Sequence, residues 1–81
     1  MSAKAISVWN NCLTFIEDNI QPQAFKTWFL PIVPLKISDN VLSIQVPSKF
    51  FYEWLEEHYV KLLKTALQKE LGSDARLVYS I

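Results

Sequence analysis

The segment VPLKISDNVLSIQVP, residues 33–47, constrains the fold more than any other part of the chain. Apolar residues alternate with polar or proline positions on both sides of Asp39-Asn40, as in two half-buried strands joined by a two-residue turn. With this turn the apolar positions face one another in three cross-strand pairs: Ile37/Leu42, Leu35/Ile44 and Val33/Val46. A slip of one residue would expose the apolar side chains of one strand, so the pattern predicts an antiparallel hairpin in this register.

Apolar residues at steps of three and four predict a first helix over residues 4–20. The stripe expected to be buried is Ala5, Trp9, Leu13, Ile16 and Ile20. Val8 and Phe15 lie seven residues apart on the opposite side of this helix, so they nearly superimpose. They form an apolar pair outside the predicted core.

Two further helices flank the hairpin. Pro22 suits the first turn of a second helix, which ends at the prolines after residue 30 and whose apolar face is Phe25, Trp28 and Phe29. Ser48 follows a proline and is expected to cap a third helix that runs to about Leu71. Gly72, the only glycine, stands where a helix C-terminus uses a left-handed residue.

The final segment ARLVYSI, residues 75–81, alternates again and predicts a third strand. The element order is therefore helix, helix, strand, strand, helix, strand. This order predicts a compact single α+β domain over residues 1–81, with a three-stranded sheet packed by helices. Because the last strand runs to the final residue, we expect a domain cut from a longer protein.

Composition argues against several function classes. Eight basic and eight acidic side chains cancel, so a polybasic nucleic-acid surface is not indicated. One cysteine and one histidine make an internal disulfide or a metal site built from protein ligands unexpected. The apolar runs are too short for a membrane span, and the N-terminus lacks a secretory signal. We therefore expect a cytoplasmic domain that does not use a membrane or a cofactor.

The residues that could carry catalysis have structural interpretations that we prefer. Glu56 and Glu57 are adjacent on a helix and diverge, as on a solvated face, whereas catalytic carboxylates converge on a substrate. Cys12 lies beside the buried stripe, as a core thiol does, and the alternative is a nucleophile. His58 lies at the edge of an apolar arc, as a half-buried packing residue, and the alternative is a pH-sensitive role. The sequence predicts no enzyme.

Phe50 and Phe51 cannot both face one core, because adjacent helical residues point about 100° apart. Phe51 shares an arc with the apolar residues that follow it, whereas Phe50 falls on the far side with Glu57 and Lys61. Trp54 lies at the edge of the arc. An exposed Phe in the first turn of a helix indicates a docking surface.

A small nucleic-acid-binding domain of the KH type is the alternative that the element order leaves open. KH domains clamp the nucleic-acid backbone with a GXXG loop, which a chain with one glycine cannot form. Stacking of single-stranded bases on Phe50, with Lys49 and Lys61 nearby, remains an alternative, although the same lysines also serve solubility.

The segments VWNNCL, QAFKTWFLPI and SDNVLSIQVPSKFFYEWLEEHY resemble the N-terminal domain of the bacterial chromosomal replication initiator DnaA. The resemblance covers nearly the whole chain and includes F-x-x-W before a proline, then D-N, then P-x-x-F-x-x-x-W. It implies a KH-like shape without the clamp. The ATPase and origin-binding domains of that family lie outside this chain, so ATP is implied only for the absent ATPase domain.

The resemblance also implies the partners of an assembly hub. Domains of this family associate weakly with themselves, recruit the replicative helicase DnaB and bind regulators of initiation. Some members bind single-stranded DNA weakly.

Site residues follow from the resemblance position by position. Phe50, beside Lys49, matches the family Phe that faces the helicase. Ala24 occupies a position of the same patch that is acidic in some members, which puts a salt-bridged contact in doubt. Trp28 and Ser48 match positions near the regulator-binding surface, with core packing and helix capping as their alternative roles.

Self-association is assigned to the first helix. Trp9 matches the family Trp implicated in self-association, whereas its place on the apolar stripe predicts a core residue. Val8 and Phe15 complete the candidate self-association surface.

Overall fold

The computed structural model describes residues 3–81, and these form four helices and one three-stranded sheet. The elements are α1 (Ala3–Glu17), α2 (Pro22–Trp28), β1 (Val33–Ser38), β2 (Val41–Gln45), α3 (Lys49–His58), α4 (Val60–Leu71) and β3 (Arg76–Ser80). The α+β class and the predicted succession of helical and strand regions are confirmed. No helix within this range is long and apolar enough to cross a membrane.

The hairpin turn is the one that the sequence predicts. Asp39 and Asn40 have φ values of 51° and 64°, as a two-residue turn with both central residues left-handed requires. Ile37 lies opposite Leu42, so the register next to the turn is confirmed.

The far end of the hairpin differs from the prediction because β1 contains a bulge. The register shifts between Pro34 and Lys36, so Pro34 lies opposite Ile44 and Leu35 is the extra residue. The predicted pairs Leu35/Ile44 and Val33/Val46 are therefore wrong. Proline has no N–H to give to a ladder, and a bulge is one of the few places where a strand accepts it.

The third strand lies parallel to β2 at the edge of the sheet, in the order β1-β2-β3. Its register runs from Val41 opposite Arg76 to Gln45 opposite Ser80. A parallel pair needs a long crossover connection, and α3 with α4 supplies it.

The helix predicted from Ser48 to Leu71 is interrupted at Tyr59, whose φ and ψ of −128° and 9° are not helical. The Ser48 hydroxyl accepts a hydrogen bond from the Phe51 N–H at 3.4 Å, so the predicted cap is confirmed. The Tyr59 ring packs edge-on against Phe29 at a centroid distance of 5.3 Å. On either side of the interruption the helices have different neighbours, since α3 lies beside α2 and α4 packs against α1.

The first helix is covered on two sides, by β1 and by α4. Its buried residues are Ala5, Val8, Trp9, Cys12 and Ile16. The buried face is therefore broader than the predicted stripe, and Val8, expected on the opposite side, is only 7% exposed. Phe15 is half-buried, with the Lys69 ammonium 5.2 Å from its ring centroid. The helix ends at Glu17, so Ile20 lies beyond it.

Cys12 is a core residue, 1% exposed, as its place beside the stripe predicts. Burial, with a smaller contribution from the negative charge of Glu70, raises the pKa of the Cys12 thiol from 9.0 to about 12. In the folded chain this thiol therefore stays protonated over a range of pH in which an exposed thiol ionises.

We expect the free energy of unfolding to fall as the pH rises above 9, because the Cys12 thiol then ionises in the unfolded chain first. Below pH 9 the thiol is protonated in both the folded and the unfolded chain, so its contribution to the free energy of unfolding is fully present. Urea unfolding at pH 8, 9.5 and 11 measures this decline. Cys12→Ala is the control and should decline less steeply. Identical declines in the two proteins would contradict the assignment.

Candidate functional site

Four aromatic rings from α2 and α3 form one cluster on the surface, which we call the aromatic patch: Trp28, Phe50, Phe51 and Trp54. Trp28 stacks on Trp54 at a centroid distance of 4.7 Å and an interplanar angle of 11°. Its ring lies 5.0 Å from Phe51 and 5.9 Å from Phe50. Trp28 is therefore the centre of the patch and joins the end of α2 to the first turns of α3.

The members of the patch differ in exposure. Phe50 is 59% exposed, as the helical wheel predicts, whereas the other three rings are half-buried. Trp28 and Phe51 pack against the hydrophobic core. The Phe50 ring is thus exposed, whereas Trp28 and Phe51 beside it are held in place by the core. A large side chain held in this way loses little conformational freedom when a partner covers it.

Trp54 carries an unpaired polar group. Its indole Nε1 is buried and has no hydrogen-bond partner among residues 3–81. A buried donor without an acceptor is unfavourable, and Trp at a binding surface usually uses this N–H.

The polar border of the patch contains Ser48, Lys49 and His58. Ser48 is occupied as the cap of α3, and Lys49 is exposed. The His58 ring lies 4.1 Å from Trp54, and its Nε2 is 3.9 Å from Glu57 Oε2. The His58 side chain is 44% exposed and its ring packs against Trp54 and Tyr59, in line with the prediction of a half-buried packing residue. The break after α3 leaves it at the end of a helix.

The structure brings the candidate docking residues to one side of the molecule. Ala24 lies one turn before Trp28 and so shares a face of α2 with it, and Ser48, Lys49 and Phe50 begin the neighbouring helix. Trp54 was not a candidate, although its position four residues after Phe50 places both on one face of α3.

The candidate self-association residues lie elsewhere and expose little surface. Trp9 is 2% exposed and Val8 is 7% exposed, and both belong to the core. The Trp9 indole Nε1 is buried without a hydrogen-bond partner in the described part of the chain. The prediction that Trp9 is a core residue, made from its place on the apolar stripe, is therefore confirmed.

Glu56 and Glu57 are both exposed, as the predicted solvated face requires, and Glu56 also accepts a hydrogen bond from the Tyr79 hydroxyl at 2.8 Å. Burial, and secondarily this hydrogen bond, raises the pKa of Tyr79. Glu57 points to His58 instead, so the two carboxylates do diverge. Within residues 3–81 no group of three or more His, Cys, Asp and Glu side chains is placed to hold a metal ion.

An apolar, partly exposed aromatic surface with a sparse polar border suits the binding of another macromolecule. Tryptophan, phenylalanine and tyrosine supply much of the energy at protein interfaces, from rigid and largely buried positions. His58 and Glu57 lie together at the border of the patch, whereas Cys12 is buried in the core and Glu56 is hydrogen-bonded to Tyr79.

Comparison with known proteins gives one consistent result. Residues 6–69 match the family model described as the DnaA N-terminal domain. Over all 81 residues the chain is 69% identical to the chromosomal replication initiator protein DnaA of Flavobacterium psychrophilum. It is 54% identical over 77 residues to the protein of the same name from Chlorobaculum tepidum, and 41% identical over 69 residues to that of Thermus thermophilus.

The match covers most of this chain and a small part of each relative. It spans 100%, 95% and 85% of the chain in the three comparisons, but only 17%, 16% and 16% of the respective relatives. The similarity therefore concerns one domain of a much longer protein.

Proposed function

The chain belongs to the DnaA N-terminal domain family, and on that premise we propose that it is the protein-docking module of a chromosomal replication initiator. The aromatic patch is the surface that engages the replicative helicase DnaB and, in an overlapping area, regulators of initiation. The domain acts in the cytoplasm without a cofactor and without catalysing a reaction.

The observation that carries this proposal is the position of Phe50. Its ring is 59% exposed while Trp28 and Trp54 lie within about 6 Å of it, at centroid distances of 5.9 and 6.1 Å. Phe50 thus exposes a large apolar side chain to water, next to the three half-buried rings of the aromatic patch. A partner that buries the exposed part of Phe50 gains about 1–2 kcal/mol, since full burial of an exposed Phe side chain is worth about 1.5–3 kcal/mol.

The chemistry of the border indicates an apolar contact. Ala24 carries no charge, so α2 offers no carboxylate at the position that is acidic in some family members. Lys49 is the cation next to Phe50 and would face an acidic group of the partner. We expect binding that depends mainly on apolar burial and only weakly on salt.

Weak self-association is part of the same proposal. Trp9 and Val8 lie in the core of a single copy, so their effect on self-association would be indirect, through the placement of α1. Phe15 is half-buried under Lys69 and would contribute only if that lysine moved.

Binding of single-stranded nucleic acid is the second candidate, favoured by the exposed Phe50 next to exposed Lys49. Titration calorimetry with the purified replicative helicase and with a short single-stranded oligonucleotide separates the two. We expect saturable helicase binding that changes little between 50 and 200 mM salt. Oligonucleotide binding with a steep salt dependence, and no heat with the helicase, would replace the docking proposal.

A further inference from the structure

Two carboxylates border the aromatic patch on the outer side of α3. Glu53 and Glu57 follow Phe50 on this helix, and at about 100° per residue they lie about 60° and 20° to one side of it. Trp54 lies about 40° to the other side of Phe50, where it stacks on Trp28. The exposed Phe50 ring therefore lies between the other aromatic rings and these two carboxylates, which we call the acidic row.

Both carboxylates of the acidic row are exposed, and no lysine or arginine among residues 3–81 forms an ion pair with them. The Glu57 side chain is 75% exposed, with its Oε2 3.9 Å from His58 Nε2. Lys49 precedes Glu53 by one turn of α3 without pairing with it. A cation of another molecule can therefore reach both carboxylates without displacing a lysine or an arginine of this chain.

The acidic row is unfavourable for the helix that carries it. Glu53 and Glu57 are four residues apart, a spacing at which like charges on a helix repel each other. Lys49 stands before Glu53 rather than after it, which is the less favourable order for a lysine–glutamate pair. Natural proteins break such local stability rules mainly at functional sites. The acidic row therefore belongs with the docking surface that Phe50 marks.

The opposite border of the aromatic patch, on α2, carries no charge. Ala24 shares a face of α2 with Trp28. The side chains next to this face, Gln23 and Thr27, are exposed and hydrogen-bonded to each other at 3.4 Å. Lys26 lies on the far side of α2, about 160° around the helix from Trp28. The patch is therefore asymmetric in charge, acidic along α3 and neutral along α2.

We infer that the partner segment docked on the aromatic patch carries lysine or arginine side chains on one flank, and that these pair with Glu53 and Glu57 while its apolar side chains cover Phe50. The inference rests on the proposed docking function and adds the chemistry of the partner. This partner is an amphipathic segment, apolar where it meets the rings and basic where it meets the outer side of α3. Arginine suits both surfaces, because its planar guanidinium pairs with carboxylates and also stacks on aromatic rings.

The charge of the acidic row selects this occupant over the others. A nucleic-acid strand with a base stacked on Phe50 brings phosphates close to Glu53 and Glu57, where like charges repel. A second copy that docks through its own aromatic patch brings the same two carboxylates. A basic and apolar protein segment has the complementary charges. Exposed ion pairs are weak, so apolar burial remains the main source of affinity and the dependence on salt remains shallow.

The test reverses the charge of the acidic row. Glu53→Lys combined with Glu57→Lys turns two attractive contacts into repulsive ones and is expected to weaken helicase binding about tenfold at low salt. Glu53→Gln combined with Glu57→Gln removes the charges at nearly constant size and is expected to weaken it about threefold. Glu17→Lys combined with Asp74→Lys is the matched control. It changes the net charge as the reversal does, at exposed positions at the end of α1 and between α4 and β3.

Titration calorimetry of the 81-residue chain with the purified replicative helicase measures the affinity of each variant, at about 50 and 200 mM salt. Thermal unfolding checks that each variant is folded, as we expect because lysine is a good helix former. The loss of affinity on reversal should be smaller at the higher salt concentration, since ions screen exposed charges. The control should bind within about twofold of wild type at both concentrations.

The outcomes that overturn the inference are distinguished by Phe50→Ala, measured alongside. If Phe50→Ala weakens binding but the reversal leaves it unchanged or strengthens it, the docking proposal stands and the flank of the partner is not basic. An equal loss on reversal and in the control would assign the effect to net charge instead of the acidic row. If neither Phe50→Ala nor the reversal changes the affinity, the aromatic patch is not the docking surface, and the proposed function is wrong together with the inference.

Discussion

Replacing Phe50 by alanine is expected to weaken binding of the replicative helicase by about 30-fold or more, the loss of about 2 kcal/mol typical of a central aromatic anchor. The free energy of unfolding should change by no more than about 1 kcal/mol. The ring is 59% exposed, and its contacts in the folded chain are with other rings of the aromatic patch. Truncation therefore removes surface that a partner covers and little that the core uses.

Ile81→Ala is the matched control for Phe50→Ala. Ile81 is 65% exposed and lies after β3, outside the aromatic patch, so its truncation should leave helicase binding unchanged. Affinity by calorimetry and unfolding by urea are measured on the same preparations. A loss of several kcal/mol in stability would show that Phe50 is a core residue, and unchanged affinity would remove it from the docking surface.

Replacing Trp9 by alanine should have the opposite profile, with a loss of about 3–5 kcal/mol in the free energy of unfolding. Trp9 is 2% exposed and is among the largest fully buried side chains of the described chain. A domain of this size has a total stability of only about 4–12 kcal/mol, so the variant should be partly unfolded near 37 °C.

Trp9→Phe separates packing from other roles. It keeps an aromatic ring in the core and removes an indole N–H that is buried without a partner among residues 3–81. We expect it to lose clearly less stability than Trp9→Ala in urea unfolding followed by far-ultraviolet circular dichroism. If Trp9→Ala instead kept full stability and lost only self-association, Trp9 would be an interface residue and its burial in a single copy would need revision.

The sequence predicts the hairpin turn well and its far end poorly, for a physical reason. Asp39 and Asn40 specify a turn locally, because both tolerate the left-handed conformation. The bulge at Leu35 depends on which ladder position the adjacent Pro34 occupies, and alternation of apolar residues cannot show that. Tyr59 interrupts a helix without glycine or proline, so periodicity runs through the break unmarked.

The exposure of a candidate side chain could be predicted where a single helix determines it, but not where several elements pack together. Phe50 faces water because of its place on α3 alone, as the wheel indicates. Val8 is buried because α1 is covered from two directions, and a single-helix wheel assumes one. Trp28 takes its central role from its stack on Trp54, a contact between two helices that the chain order does not reveal.

The central claim is that the aromatic patch is the docking surface, and an NMR titration of the isotope-labelled chain with its cognate replicative helicase tests it most directly. We expect chemical-shift changes and line broadening to cluster at the Phe50 and Lys49 amides and at the indole N–H signals of Trp28 and Trp54, with the Trp9 indole unaffected. Changes confined to other surfaces, or none at a saturating amount of helicase, would contradict the claim.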